Sequence, residues 1–133
     1  YVRWGRSRIH GVGVIALKRI PKGAQVFGAD RQRMVRVERR RVLRLPDALR
    51  ELYEDFCVLE GDDYLCPVSF NRMTVSWYLN HSDEPNVRSD RALRFFALRV
   101  IQAGEELTVD YRTYSDEALA WRSRKPRGPR STR

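Results

Sequence analysis

The chain has 133 residues, a formal net charge of +9 and an isoelectric point near 10.2. This length supports one domain with one hydrophobic core and is too short for two ordinary domains. No apolar run approaches the ~20 residues that span a bilayer, and no signal peptide opens the chain. We therefore expect an intracellular protein without a membrane partner, in the cytoplasm, a bacterial nucleoid or a nucleus. The charge favours acidic partners such as nucleic acid, although an arginine-rich solvated surface is the simpler account.

The two cysteines, Cys57 and Cys66, form no spaced framework of the kind that stabilises small secreted domains, so we expect reduced thiols. The first residue is Tyr1 rather than Met, which is compatible with an excerpt of a longer chain or a processed form.

The N-terminal segment mixes β-branched residues with glycine and proline, a pattern typical of short strands joined by turns. It predicts strands at residues 14–17 and 25–27, with a turn at 20–23 between them. The next segment is ambiguous. Met34, Val35 and Val37 fit a strand edge, and the arginine run that follows fits a solvated connector.

A helix is predicted over residues 47–56, because apolar side chains recur there on one helical face and Pro46 is tolerated at its start. The four residues of that face are Leu45, Leu49, Leu52 and Phe56. Strand-like pieces follow near residues 64–66 and 75–79.

Toward the C-terminus, the segment "ALRFFALRVI" (92–101) is predicted to form a strand pair with "ELTVDY" (106–111) across a turn at Gly104. Ser115 followed by Asp116 resembles the start of a helix. The last residues form an expected flexible basic tail. We therefore predict a folded domain over residues 1–114 and a short helix with this tail over 115–133.

Four separated motifs carry the candidate chemistry: "HGVGVIA" (10–16), "YLNHSDEPN" (78–86), "AGEELTVDY" (103–111) and Trp121. Each is weak when taken alone. Gly11 and Gly13 fit a hairpin turn, Asn86 fits a turn cap, and Glu105 and Glu106 fit ordinary surface charge.

In this order and spacing, the motifs resemble the SET-domain protein lysine methyltransferases over residues 9–111. The resemblance implies a mainly β fold with short helices, in which small curved sheets end in a C-terminal pseudoknot that brings "NHS" and "VDY" together. It also implies S-adenosyl-L-methionine (SAM) as cofactor and a protein lysine as substrate. The lysine amine has a pKa of about 10.4 in water, so its neutral form must be favoured by a water-poor channel and a nearby sulfonium.

The resemblance assigns cofactor binding to Gly11, Val12 and Gly13, whose backbone would approach the methionine moiety of SAM closely. Asn80 would contact the amino-acid end of SAM and the main chain of His81 its adenine. For each of these residues alone, a turn or a packing role is the simpler reading.

The resemblance assigns Tyr111 to the active site, where it would contact SAM and orient the reacting groups through its hydroxyl. A phenol with a pKa near 10 is mostly protonated at neutral pH and is a poor general base. Trp121 is expected either to stack on the adenine or to pack a helix.

The sequence also departs from the family pattern. Cys57, Cys66 and His10 cannot supply a four-ligand zinc site of normal spacing, so we expect no metal. Phe27 precedes Gly28 where the family commonly has tyrosine, and no extra tyrosine follows Pro85-Asn86, so the degree of methylation stays open. The compact form resembles bacterial members.

Two functions are compatible with the sequence. The first is methylation of a protein such as a histone, a nucleoid protein or a ribosomal protein. The second is a catalytically silent SET-like module that binds nucleic acid or chromatin through its arginine-rich surface.

Overall fold

The computed structural model describes residues 1–28 and 34–116, which form two sheets with short helical segments. The described strands are β1 (Val2–Arg6), β2 (Val12–Ala16), β3 (Met34–Glu38), β4 (Val58–Glu60), β5 (Asp63–Pro67), β6 (Asn80–His81), β7 (Val87–Ser89), β8 (Phe95–Ala97) and β9 (Glu106–Val109). The α-helices are α1 (Arg39–Val42) and α2 (Asp47–Phe56), and 3₁₀ turns occupy Phe70–Arg72, Val75–Tyr78 and Tyr111–Thr113. The predicted mainly β class with short helices is confirmed.

The larger sheet has the order β1-β2-β9-β7-β8, and β6 also pairs with β9. Strand β9 is antiparallel to β2 but parallel to β6 and β7. Leu107, Thr108 and Val109 are all buried, as expected for a strand covered on both faces. Strand β9 is therefore the centre of the sheet, and Val14 and Val87 on its neighbours complete the solvent-free core.

The smaller sheet has the order β3-β5-β4 and packs its own core around Tyr64 and Val42. Cys57 and Cys66 are buried there as free thiols. The hydrogen bond between the two thiols, together with burial, raises the pKa of Cys57, so this sulfur remains a protonated packing group. Within residues 1–28 and 34–116, no group of three or more His, Cys, Asp and Glu side chains is arranged to hold a metal ion.

The end of the described chain returns to the smaller sheet. The Leu59 amide donates to the Ser115 hydroxyl at 3.1 Å, and the Asp116 amide donates to the Leu59 carbonyl at 2.8 Å. Ordered contacts thus continue to residue 116. The predicted helix after Ser115 and the basic tail lie outside the described residues, so the boundary at residue 114 stays a prediction.

Several predicted elements are confirmed. Helix α2 has the predicted bounds, although Leu49 on its apolar face is exposed. The predicted strands at 14–17 and 64–66 correspond to β2 and β5, and the ambiguous residues 34–37 lie in β3. None of the helices among the described residues is long and apolar enough to cross a bilayer.

The predicted strand at residues 25–27 is wrong. Gln25 forms only an isolated bridge with Phe96, and the Val26 amide donates to the Phe95 carbonyl at 3.0 Å. The segment follows the edge of β8 through single bonds without forming a continuous ladder. The arginine run is likewise more than a connector, since its residues start α1, which buries Val42.

The predicted strand at residues 75–79 is also wrong. Its β-branched and aromatic side chains favour a strand, yet Val75–Tyr78 forms a 3₁₀ turn in which the Trp77 amide donates to the Thr74 carbonyl at 3.2 Å. Val75 and Tyr78 pack against the core of the larger sheet. Tertiary packing therefore overrides the local preference.

The predicted pairing of residues 92–101 with 106–111 is wrong as well. Strand β8 pairs with β7, and β9 pairs with β2, β6 and β7. Asp90 closes the turn between β7 and β8, because its Oδ1 accepts from the amides of Ala92 and Arg94 at 2.9 Å. This aspartate turn selects β7 as the partner of β8.

Asn86 joins the loop after β6 to the central strand. Its amide nitrogen donates to the Glu106 carbonyl at 2.8 Å, and its side-chain oxygen accepts from the Thr108 amide at 2.8 Å. The residue is only 4% exposed. Asn86 is thus a buried clamp on β9 rather than a turn cap.

We predict that Asn86→Ala lowers the free energy of unfolding by about 2–5 kcal/mol, because it leaves the partly buried Glu106 carbonyl and the buried Thr108 amide without their partner. Urea unfolding followed by circular dichroism measures the change. Asn71→Ala, on an exposed 3₁₀ turn, is the matched control and should stay within about 0.5 kcal/mol of wild type. Equal effects of the two substitutions would contradict the clamp.

Candidate active site

Three of the four sequence motifs meet at β9. Its parallel ladder with β6 places Asn80 opposite Thr108 and His81 opposite Val109. Asn80 thereby faces the loop before β2, and His81 lies beside Tyr111, which directly follows Asp110 at the end of β9. Residues about 30 and 70 positions apart in sequence are brought together by one two-residue ladder.

The Asn80 side chain holds the loop that contains the glycine motif. Its Nδ2 lies 3.0 Å from Ser7 Oγ, 3.0 Å from Glu106 Oε2, 3.1 Å from the His10 carbonyl and 3.2 Å from the Val12 carbonyl. An amide has only two N–H groups, so these acceptors share them. With 9% exposure, Asn80 is well shielded from competing water.

The two glycines of the motif have different environments. Gly11 has φ of +51°, which favours glycine, and a side chain there would meet no atom within 4 Å. A Cβ on Gly13 would instead lie 2.5 Å from Glu106 Oε2. Val12 between them is 48% exposed and contributes its carbonyl to Asn80. Gly11 thus borders open space, whereas Gly13 leaves room for a carboxylate.

His81 positions the backbone of Tyr111. The Tyr111 amide donates to His81 Nδ1 at 3.1 Å, and His81 Nε2 lies 3.0 Å from Asp83 Oδ1. Because Nδ1 accepts a hydrogen bond, Nε2 carries the proton and donates to Asp83. The His81 and Tyr111 rings are 5.3 Å apart. His81 is therefore an ordered structural partner of Tyr111.

The Tyr111 hydroxyl donates to the carbonyl of Leu79, the residue before Asn80. Burial raises the pKa of Tyr111, with smaller contributions from the negative charges of Asp55 and Glu106. The phenol is consequently a neutral donor at physiological pH. A neutral phenol is a hydrogen-bond donor and a poor general base, and the proposed orienting role of Tyr111 stays a prediction.

A row of aromatic rings extends from Tyr111 along the sheet. Tyr111 and Tyr114 are 6.1 Å apart, Tyr114 and Phe95 are 5.8 Å apart, and Phe95 and Phe27 are 5.6 Å apart, all in edge-to-face geometry. Such geometry is favourable for aromatic pairs. Phe27, which replaces the family's common tyrosine, is the end of this row, and Tyr111 thus has an apolar flank.

Sequence reasoning missed two polar members of the site. The sequence alone favours surface charge for Glu106, yet both its carboxylate oxygens lie 2.8 Å from Ser7 Oγ. That reading does hold for Glu105, which pairs with the exposed Arg99 at 2.9 Å. The pair Glu105-Glu106 does not show by itself which carboxylate points inward, since Glu105 lies before β9 and β9 is covered on both faces. No signal in the sequence marked Ser7 either. Trp121 lies outside the described residues.

Comparisons with known proteins identify the family of the chain and its fold. The family model of the SET domain matches residues 11–112, and the chain belongs to the SET domain family. Among curated proteins, it is 31% identical over 115 residues to the histone-lysine N-methyltransferase Set2 of Drosophila melanogaster, across 80% of this chain and 5% of Set2. It is 29% identical over 126 residues to an H3 lysine-4 specific histone-lysine N-methyltransferase of Schizosaccharomyces pombe, across 88% of this chain and 13% of that protein.

A shorter match reaches the histone-lysine N-methyltransferase CLF of Oryza sativa subsp. japonica, with 46% identity over 59 residues, 39% of this chain and 6% of CLF. Among solved structures, a candidate histone methyltransferase of Plasmodium falciparum superposes with a TM-score of 0.53 and 21% identity, covering 84% of this chain and 96% of that one. The fold predicted from the motifs is thereby confirmed. The chain spans only a small part of each of these curated relatives.

Asp110, which precedes Tyr111, anchors this end of β9. Its Oδ1 accepts from the Arg112 amide at 3.0 Å and from Arg112 Nε at 2.7 Å. The hydrogen bonds from the Arg112 side chain are the main reason that the pKa of Asp110 is lowered. A lowered folded-state pKa means that the ionised carboxylate stabilises the fold above pH ~4, and this stabilisation is lost as pH falls further.

We predict that Asp110→Asn lowers the free energy of unfolding by about 1–2 kcal/mol at pH 7, since charge-assisted hydrogen bonds become neutral ones. The difference from wild type should shrink below pH ~4, where the wild-type carboxylate becomes protonated. Thermal unfolding at several pH values measures it. Asp62→Asn on an exposed turn is the control, and a difference that does not depend on pH would contradict the role of the charge.

Proposed function

We propose that this chain transfers a methyl group from SAM to the side-chain amine of a protein lysine. The observation that carries the proposal is the position of Tyr111, whose hydroxyl is fixed on the Leu79 carbonyl beside Asn80 and His81. The names of the similar proteins, which are histone-lysine N-methyltransferases, support the reaction class.

The residues of the site fit the proposed cofactor. Gly11 leaves open space where a side chain would otherwise project, and Asn80 holds the neighbouring backbone in place. Gly11, Val12, Asn80 and His81 would hold SAM, with Tyr111 at its reactive end. When bound, SAM supplies an activated methyl group on a sulfonium.

The chain contributes positioning and exclusion of water. The oxygen of the neutral Tyr111 phenol and the nearby Leu79 carbonyl can accept weak hydrogen bonds from polarised C–H groups. They can also accept a hydrogen bond from an incoming amine. The flank formed by Tyr114 and Phe95 disfavours the charged form of that amine by desolvation. Holding reactants in line is the main requirement of such a transfer.

The substrate is proposed to be a protein with an accessible lysine, with histones suggested by the similar proteins and nucleoid or ribosomal proteins as alternatives. The net charge of +9 repels a free basic tail and attracts acidic surroundings. We therefore favour a lysine that is presented next to acidic residues or on nucleic acid.

We predict that Tyr111→Phe lowers kcat for methyl transfer by about 100-fold or more and leaves the Kd for SAM nearly unchanged, since the ring is kept and one hydroxyl is lost. Calorimetry measures SAM binding, and radiolabelled methyl transfer into a cell lysate, with mass spectrometry of the labelled band, measures turnover and identifies the substrate. Tyr53→Phe in the smaller core is the matched control.

Two results would count against this assignment. Unchanged turnover in Tyr111→Phe would make Tyr111 a packing residue. Absence of SAM binding by the folded wild type would remove the methyltransferase proposal itself, and the silent nucleic-acid-binding module would then be favoured.

Nucleic-acid contact is a separate proposal, based on the six basic residues after Trp121: Arg122, Arg124, Lys125, Arg127, Arg130 and Arg133. We predict that deleting residues 122–133 makes the logarithm of the affinity for nucleic acid less dependent on the logarithm of salt concentration, because fewer counterions are released. Fluorescence anisotropy over a salt series measures the slope. A full-length variant with these six residues changed to Gln should show the same reduced slope as the deletion. An unchanged slope in either variant would show that the tail does not contact nucleic acid.

A further inference from the structure

Glu106 is a partly buried carboxylate held by neutral groups. Ser7 Oγ lies 2.8 Å from both of its oxygens, and Asn80 Nδ2 lies 3.0 Å from Oε2. Among residues 1–28 and 34–116, no lysine, arginine or histidine forms an ion pair with it. Its contacts thus serve to orient the Ser7 hydroxyl and the Asn80 amide.

Ser7 transmits this orientation to the loop before β2. Its Oγ accepts from the amides of Ile9 at 2.9 Å and His10 at 3.1 Å, and its own amide donates to the Gly11 carbonyl at 2.9 Å. The Ser7 hydroxyl donates its proton to Glu106, so it acts both as a hydrogen-bond donor and as an acceptor. Ser7 therefore links three backbone groups of the loop to Glu106 on β9, and Asn80 provides a second link through the His10 and Val12 carbonyls.

We propose that Glu106 is a positioning residue: acting through Ser7 and Asn80, it fixes residues 7–13 in the conformation that binds the cofactor, and Gly13 lacks a side chain in order to admit this carboxylate. The proposal deepens the methyltransferase function and rests on it for the identity of the ligand. The proposal also gives Gly13 a different role from the one that the family resemblance implies, which is close approach of its backbone to SAM.

The clearance at Gly13 is the observation that separates these two roles. A Cβ there would lie 2.5 Å from Glu106 Oε2, 2.9 Å from Glu106 Cδ and 3.1 Å from Ser7 Cβ, so the carboxylate would have to leave its partners. The space beside Gly11 is empty by the same measure. Shortening Glu106 removes the two closest of these atoms and leaves only Ser7 Cβ, which would have to shift by a few tenths of an ångström. If Gly13 serves Glu106, a side chain at position 13 is then tolerated; if Gly13 serves SAM, it is not.

A double-mutant cycle tests this, with SAM binding measured by calorimetry on Gly13→Ala, Glu106→Ala and the double variant. We expect each single variant to weaken SAM binding at least tenfold, and the double variant to be no weaker than Glu106→Ala alone. Glu105→Ala, which removes a carboxylate that pairs with the exposed Arg99 instead of Ser7, should stay within twofold of wild type. A further loss of tenfold or more in the double variant would overturn the role of Gly13.

The variant Glu106→Gln distinguishes the hydrogen bonds that Glu106 accepts from the effect of its negative charge. Its amide oxygen can still accept from Ser7 and Asn80, so we expect SAM affinity within about threefold of wild type. An affinity as low as that of Glu106→Ala would show that the negative charge itself attracts the cofactor, which would overturn the positioning role.

Amide hydrogen exchange gives a readout that does not depend on the ligand. In Glu106→Ala, we expect at least tenfold faster exchange at Ile9 and His10, with unchanged exchange in β4 and β5 as the sign of an intact fold. Faster exchange everywhere would mean general destabilisation and would contradict the proposal. If the wild type binds no SAM but this exchange pattern is found, the methyltransferase proposal fails while the role of Glu106 in ordering the loop stands.

Discussion

The parallel pairing of β6 with β9 is the constraint on which the rest of the site depends. It involves only Asn80 and His81, and two residues of parallel ladder are too few to be stable by themselves. The pairing persists because β9 is already held by its ladders with β2 and β7, and because Asn86 clamps the loop after β6 to β9. The site is thus assembled by a strand that the core holds in place.

From this pairing, polar contacts extend in two directions. On one side, Asn80 leads to Ser7, Glu106 and the glycine loop; on the other, His81 leads to the backbone of Tyr111. Buried polar groups of this kind contribute little net stability when satisfied and cost about 1–3 kcal/mol each when a partner is lost. Their value to the protein lies in selecting one arrangement of two loops, and this explains why so many of them occur beside a site whose chemistry requires alignment.

The sequence predicted those features that depend on local pattern or on a specific motif. The periodicity of Leu52 and Phe56 fixed the helix, and the Asn-His and Asp-Tyr motifs indicated the family. The wrong predictions concern contacts that no local pattern encodes. Strand β8 pairs with β7 because Asp90 closes the turn between them. Val75–Tyr78 forms a 3₁₀ turn because its side chains pack against the core. Glu106 belongs with these contacts, since nothing in the sequence distinguished it from Glu105 or indicated Ser7 as its partner.

The charges near Tyr111 bear on how an amine would become reactive in the proposed methyl transfer. The raised pKa of Tyr111 reflects burial first and then the negative charges of Asp55 and Glu106, and negative charge also stabilises an ammonium. The net charge of +9 acts in the opposite sense, but screening limits charges on the surface to a range of about 8 Å at physiological salt, so nearby groups prevail. In the proposed reaction, neutralisation of a bound lysine would therefore have to come from desolvation against the flank of Tyr114 and Phe95 and from the positive charge of the proposed cofactor. The negative charges of Asp55 and Glu106 would oppose this neutralisation, because they stabilise the ammonium form.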